Sequence, residues 1–396
     1  MLAFAKNKAL EAQGLNIIVQ LCENKANFTP QNLRPVLERL KGQVKYVELF
    51  NEPNFSYSPA AYVAAAKPVY AMIKEVDPNF RVLGPAVCGI SLSWHEAFFK
   101  AGGGETYDEF SCHDYEGNES ITPEHWVWKF GQLHAMMKRY GVDNRPIWQS
   151  ERAITGMRAG TFLPDAQAIR VSLHVDLLQT LGVPPERNLH YYLNRGGYAK
   201  VPSYLWSDPQ GPFPGALALR TRYSLTKGLN YAGTLNFGET GNQLFMGLRY
   251  KATNGADALL SLRNMGDLDQ KAEFKVTGSP QLQLTDSWGN TSTATASASK
   301  VVLTLGQLPI FVRLAPGQKI EPLPIDLGRN IAPEARLQLV AGQNVGAINS
   351  LTNGVIEAGH LDNPTRGRSW NGGVLEPGKP GVLELRWSAP RTLSSV

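Results

Sequence analysis

The 396-residue sequence holds only three cysteines, Cys22, Cys88 and Cys112. Their number is odd and none forms a Cys-x-x-Cys pair, which argues against a disulfide framework and against a cysteine zinc site. Each is read as a buried apolar thiol. No apolar run approaches the roughly 20 residues that span a bilayer. Met1–Gln13 has neither the apolar segment nor the small-residue cleavage site of a secretory leader. An excess of one charge is missing too: 39 basic and 34 acidic residues give a net charge of +5, without tracts. A nucleic-acid interface needs clustered Lys and Arg, so neither nucleic acid nor membrane is expected as a partner. His95-Glu96 lacks the second histidine of a zincin helix, because position 99 is Phe99. Gly102–Gly104 lacks the lysine of a P-loop and the spacing of a dinucleotide loop. No metal and no organic cofactor are expected.

What is present is an ordinary globular composition, 43% hydrophobic and 18% charged, in a chain long enough for two or three domains. From residue 15 to about 195, short apolar runs recur at the spacing of βα units: Leu15–Leu21, Val44–Phe50, Phe80–Ala86, Glu109–His113, Arg145–Gln149 and Asn188–Leu193. Thr29-Pro30, Ser58-Pro59 and Thr122-Pro123 each set a capping hydroxyl before a proline at the first helical position. Strands alternating with helices predict a parallel sheet, either a (β/α)8 barrel or a doubly wound sheet. After about residue 230 the texture changes to short β-prone runs separated by Gly, Asn, Asp and Ser, as in an antiparallel sandwich. The prolines of Ala315–Pro324 suggest a linker. The expected division is 1–230, 231–316 and 325–396.

Val47-Glu48-Leu49-Phe50-Asn51-Glu52-Pro53-Asn54 is an apolar strand running directly into Asn-Glu-Pro. Asn and Pro also favour plain turns, so the motif gains force from a partner. Pro146-Ile147-Trp148-Gln149-Ser150-Glu151 places a second glutamate at the end of another apolar strand, three strands later. In a parallel barrel all C-terminal strand ends share one face, where active sites are built. Two carboxylates flanking a glycosidic bond are what glycoside hydrolysis requires.

At these residues the sequence resembles the clan A glycoside hydrolases, retaining enzymes on a (β/α)8 barrel, over roughly residues 10 to 230. The barrel followed by a β-sandwich is similar to the family of β-xylosidases and α-L-iduronidases. The resemblance implies Glu52 as acid/base, Glu151 as nucleophile and Asn51 as a donor to the sugar 2-hydroxyl. It implies an aromatic hydroxyl against the nucleophile, for which Tyr115 is preferred over His113, and a sugar-platform tryptophan after the eighth strand, Trp206. Trp148 is a further candidate for substrate contact. If Glu52 ends strand four, Leu15–Leu21 is strand three, and the barrel is expected to lack its first two strands. The chain then reads as part of a longer frame, acting outside the cell or in the periplasm on polysaccharide or oligosaccharide. A non-catalytic carbohydrate-binding protein or an inactive barrel remnant is the competing reading. Residues 325–396 resemble the start of a galactose-binding-like jelly roll.

Overall fold

The computed structural model describes residues 17–115, 123–154, 157–158, 161–190, 205–207, 211–238, 241–266, 269–325, 336–341, 345–346, 370–371, 382–386 and 388. They fall into two compact units, each discontinuous in sequence. Residue 230 therefore marks a change of secondary structure and not the edge of a unit.

The first unit comprises residues 1–153, 181–191 and 356–366. Its six strands are β1 (Ile18–Gln20), β2 (Tyr46–Glu48), β3 (Arg81–Cys88), β4 (Glu109–His113), β5 (Ile147–Arg152) and β6 (Asn188–His190). Each of the six apolar runs became one of them. They pair in parallel and in strict chain order. A doubly wound sheet reverses its order at a switch point; monotonic order is that of a barrel wall. Among the described residues no further strand pairs with the outer edge of β1 or of β6.

Helices α1 (Pro30–Leu40), α2 (Pro59–Val76), α3 (Leu92–Lys100) and α4 (Pro123–Arg139) alternate with these strands. The Thr29 hydroxyl accepts from the Asn32 amide as a cap. Ser58 precedes α2 without a side-chain capping bond, and Thr122 lies outside the described residues. In α2, Tyr62, Ala66, Val69, Ile73 and Val76 are buried, the three-and-four spacing of one helical face.

Successive residues of a strand face opposite sides of the sheet. On one side Tyr46, Leu83 and Trp148 form an apolar cluster with Ile18 and Leu189. Glu48 lies two residues beyond Tyr46, and Ser150 two beyond Trp148, one step nearer the C-terminal strand ends. A greasy layer thus underlies a polar one.

The second unit comprises residues 154–180, 192–355 and 367–396. It contains α5 (Pro164–Thr180), α6 (Pro214–Thr226) and two antiparallel sheets. The strands are β7 (Asn230–Thr234), β8 (Phe245–Lys251), β9 (Asp257–Asn264), β10 (Gln270–Thr277), β11 (Gln281–Thr285), β12 (Thr291–Thr295), β13 (Lys300–Leu305), β14 (Ile310–Arg313) and β15 (Lys319–Pro322). One sheet runs β7-β8-β9-β14-β11-β12, the other β13-β10-β15. Alternating burial along β10 and β13 turns Ala272, Phe274, Val276, Val301, Leu303 and Leu305 into one core with Leu260, Leu262, Leu282 and Val312.

Two expectations change here. Lys319–Pro322, read as linker, is an edge strand paired with Phe274–Thr277; its proline sits at the strand end, where a missing N–H is tolerated. Thr291–Thr295 also pairs as a strand, although its polarity hid it. Beyond residue 325 only two short antiparallel pairs are described, Arg336–Ala341 with Val382–Arg386 and Val345–Gly346 with Trp370–Asn371; the rest of the jelly-roll expectation lies outside the described residues.

The second unit also buries a polar network. Asp176 of α5 accepts from Arg222 Nε of α6 at 2.8 Å and from Arg263 Nη1 of β9 at 3.4 Å. Arg222 Nη2 also donates to Gln179 and to the Tyr250 hydroxyl. Removing one member of a buried ion network leaves uncompensated charge and costs about 3–5 kcal/mol. Asp176→Ala should therefore lower stability by that order in urea denaturation. Thr291→Ala, on an exposed strand, should stay within about 0.5 kcal/mol of the parent.

Candidate active site

Glu52 stands where β2 runs out. The chain past Glu48 is still held on both sides: Leu49 N–H donates to the Leu83 carbonyl, Asn51 N–H to that of Cys22 and Glu52 N–H to that of Ala86. Glu52 then adopts a left-handed conformation, φ 48° and ψ 59°. For a residue with a Cβ this costs about 1–2 kcal/mol, and such strain gathers at functional sites. Pro53 opens a single 3-10 turn, Pro53–Phe55. Asn54 pins that turn to the end of β3, donating to the Cys88 carbonyl and accepting from the Cys88 amide. Each residue of Asn-Glu-Pro-Asn thus has a task in aiming Glu52.

Asn51 accepts from the Gln20 side chain of β1 at 2.8 Å.

Glu151 lies in the last turn of β5, and His113 ends β4. The His113 ring has no exposed surface. Its Nδ1 is 3.1 Å from Glu52 Oε1 and 3.8 Å from Glu151 Oε2, and its Nε2 is 3.6 Å from Glu48 Oε2. The Tyr115 hydroxyl donates to Glu151 Oε1 at 3.0 Å and accepts from the Ala153 amide. Arg152 donates to the Asp114 carbonyl and lies over the rings of Tyr115 and Trp126, which holds Tyr115 in place.

The electrostatics follow from this crowding. Burial pulls the His113 pKa down, but the contacts with Glu48 and Glu52 and the charge of Glu151 outweigh it and lift it from 6.5 to about 10. Burial would raise Glu48, yet the hydrogen-bonding and charge of His113 hold it below the usual carboxylate range. Glu151 moves upward, driven by burial and opposed by the His113 charge and the Tyr115 hydroxyl. Burial and the Glu151 charge push Tyr115 up, so it stays a donor.

One donor atom each from Glu52, His113 and Glu151 all fall within 4.8 Å of one another. With an imidazole held between carboxylates, these residues are read as a proton-sharing cluster. The carboxyl oxygens of Glu52 and Glu151 face each other across less than 4.8 Å.

Of the sequence-derived candidates, Glu52, Glu151, Asn51, His113 and Tyr115 converge. His113, expected against substrate, instead touches carboxylates, because its ring is enclosed. Trp148 is also corrected. It is 1% exposed, stacks on Tyr46 and gives its indole N–H to Glu109 at 2.6 Å, so it offers a ligand neither face nor donor. Trp206 belongs to the second unit and is 41% exposed. Trp94 packs among Tyr62 and Phe98; Tyr192 lies outside the described residues. Glu48 and Gln20 were missed. A glutamate inside the apolar run Tyr46–Phe50 was the signal for Glu48.

Comparison with known proteins agrees with this geometry. Residues 5–170 match the family described as the glycosyl hydrolase catalytic core. A sequence search of curated proteins gives no match. Among solved structures, a family 39 glycoside hydrolase from the gut symbiont Bacteroides cellulosilyticus superposes with TM-score 0.61 at 20% identity, over 72% of this chain and 61% of that one. The chain thus spans less than two thirds of that protein. A family 30 endoxylanase from Clostridium papyrosolvens gives 0.57 at 13% identity, over 79% and 83%. A glucosidase from Croceicoccus marinus gives 0.54 at 12%, over 78% and 81%. At these identities the likeness is one of fold. The strand-end glutamates, the parallel sheet in chain order and the match over residues 5–170 all point the same way: that part of the chain is similar to a glycosyl hydrolase catalytic core and shares its fold.

Proposed function

We propose that this protein hydrolyses O-glycosidic bonds in a polysaccharide or its oligosaccharides by double displacement, with retention of configuration. The observation that carries the reading is the approach of Glu52 and Glu151 to within 4.8 Å. Retaining enzymes hold their carboxyl groups about 5–5.5 Å apart, while inverting ones leave about 6.5–9.5 Å for a water. In the first step a Glu151 carboxylate oxygen attacks the anomeric carbon as Glu52 gives its proton to the departing glycosidic oxygen. A glycosyl ester on Glu151 results. In the second step Glu52 takes a proton from water, which attacks the same carbon and releases Glu151. The Tyr115 hydroxyl favours the ionised form of Glu151, as a donor to a carboxylate must. Asn51 offers its amide to a sugar hydroxyl, and an exposed aromatic such as Trp206 is a candidate for stacking on sugar. The two antiparallel sheets, a β-sandwich in this reading, and the strands beyond residue 325 would add glycan contacts or support. Action on polymeric glycans places the protein outside the cell or in the periplasm. Xylosides and glucosides are the first substrates to try.

A 2-deoxy-2-fluoroglycoside should inactivate the protein and label Glu151, seen by peptide mapping; a label on any other residue, or none with a full panel of sugars, rejects the nucleophile assignment. Glu151→Gln should abolish turnover. Glu52→Gln should lower kcat by about 10²–10⁴-fold, with the loss largely recovered on substrates whose leaving group needs no proton. Tyr115→Phe removes one of the two contacts that lower the Glu151 pKa, leaving the His113 charge alone against burial. The acidic limb of its kcat/KM profile should therefore move to higher pH than in the parent, with kcat down about tenfold for a lost charge-assisted hydrogen bond.

A further inference from the structure

Glu48 is a buried acid beside the site that the mechanism above leaves unused. Glu48 is 3% exposed, and among the described residues its Oε1 has no hydrogen-bond partner. Among the described residues the cation it faces is His113, 3.6 Å away. The groups around the His113 ring are Glu48 from β2, Glu52 from the turn after β2 and Glu151 from β5. Tyr115 reaches Glu151 and not the ring. The hydroxyls of Ser111 and Ser150 contribute to holding Glu48 ionised.

A neutral imidazole has one N–H and one lone pair. With Glu52 and Glu151 on the Nδ1 side alone, the neutral tautomer bearing its proton on Nδ1 would serve. A carboxylate on the Nε2 side changes this: a bare Nε2 would point its lone pair at Glu48. At 3.6 Å the two are not hydrogen-bonded, but the negative charge of Glu48 favours a proton on Nε2, and with Nδ1 already donating this favours a charged ring. Glu48 thus converts a neutral contact into a fixed cation beside the two reacting carboxylates.

Resting on the reading of Glu52 and Glu151 as the reacting pair, we propose that Glu48 is a positioning residue that acts through His113, keeping the ring doubly protonated and oriented so that the two carboxylates can share one site and one proton. It touches no substrate; its effect is on the proton inventory of the pair.

The first test needs no variant and no substrate. In long-range ¹H–¹⁵N spectra of the full chain, His113 should remain doubly protonated at pH 8. A neutral His113 at pH 7 overturns the proposal. In Glu48→Gln, of nearly the same shape, the ring should titrate at lower pH than in the parent. Linkage gives a second readout free of activity. A folded-state pKa above the unfolded one gives stability that is full below the unfolded value and lost as pH rises through the folded one. The parent should therefore lose stability between pH 6.5 and about 10, and Glu48→Gln should lose less of it there. On substrate, Glu48→Gln should lower kcat by about 10–100-fold above its new His113 pKa, the range for partners that orient a working ligand. KM should stay within a factor of two, kcat should recover below that pKa, and Glu48→Asp should restore the parent profile. An unchanged His113 titration, or a kcat loss independent of pH, rejects the role. Failure of Glu151 labelling alongside the expected titrations would instead reject the glycosidase reading and leave the Glu48–His113 couple standing.

Discussion

A single imidazolium among three carboxylates is the constraint on which the site depends. Glu48, Glu52 and Glu151 each approach His113 within 4 Å. Without a cation, like charges so close would drive one another to take up protons. With it, Glu48 can stay ionised although it is buried. The backbone serves this arrangement: β2, β4 and β5 bring their ends together because they belong to one parallel sheet, closing sequence separations of 61 residues for His113–Glu52 and 36 for Tyr115–Glu151. The left-handed conformation of Glu52 and the two-way clasp of Asn54 on Cys88 are the local adjustments that turn a strand end into an aimed carboxylate.

What lies beneath sets how strongly these charges interact. Tyr46, Leu83 and Trp148 form an apolar floor one step further down the strands, with Ile18 and Leu189 against it. Below them, Glu109 takes the Trp148 indole N–H and an ion pair from Arg81. The floor keeps water from reaching the imidazole from below, so the charges above it are weakly screened. The tryptophan expected to stack on sugar works instead as packing that makes the polar layer effective.

The comparison of sequence and structure divides along one line. Strand ends were legible: an apolar run followed by a carboxylate located both Glu52 and Glu151, and the regular spacing of βα units placed them on one face. The side of the sheet that an interior residue faces was less so. Glu48 and Trp148 occupy the same kind of position, inside a strand, and both were misjudged, since alternation reveals that two residues share a side but not which layer they reach. Trp148, a candidate for substrate contact, is buried because it stands two residues before Ser150, a full step toward the strand start. In the second unit, Lys319–Pro322 and Thr291–Thr295 were missed for a related reason. Edge strands tolerate proline and polar side chains on their open faces, so the composition of a linker and of an edge overlap.

Two buried charge networks among the described residues separate structure from chemistry. Around Asp176 one anion lies between two guanidinium groups, and arginine keeps its protons at any pH a protein meets. That network can hold α5, α6 and β9 together but cannot change its proton count. Around His113 every member titrates: one imidazole and three carboxylates, with a phenol hydroxyl at the edge. The net charge there is negative, so the cluster gains by keeping an additional proton. Burial alone does not mark a functional site. Burial of groups whose protonation can shift, with the excess charge on the side that favours binding a proton, does.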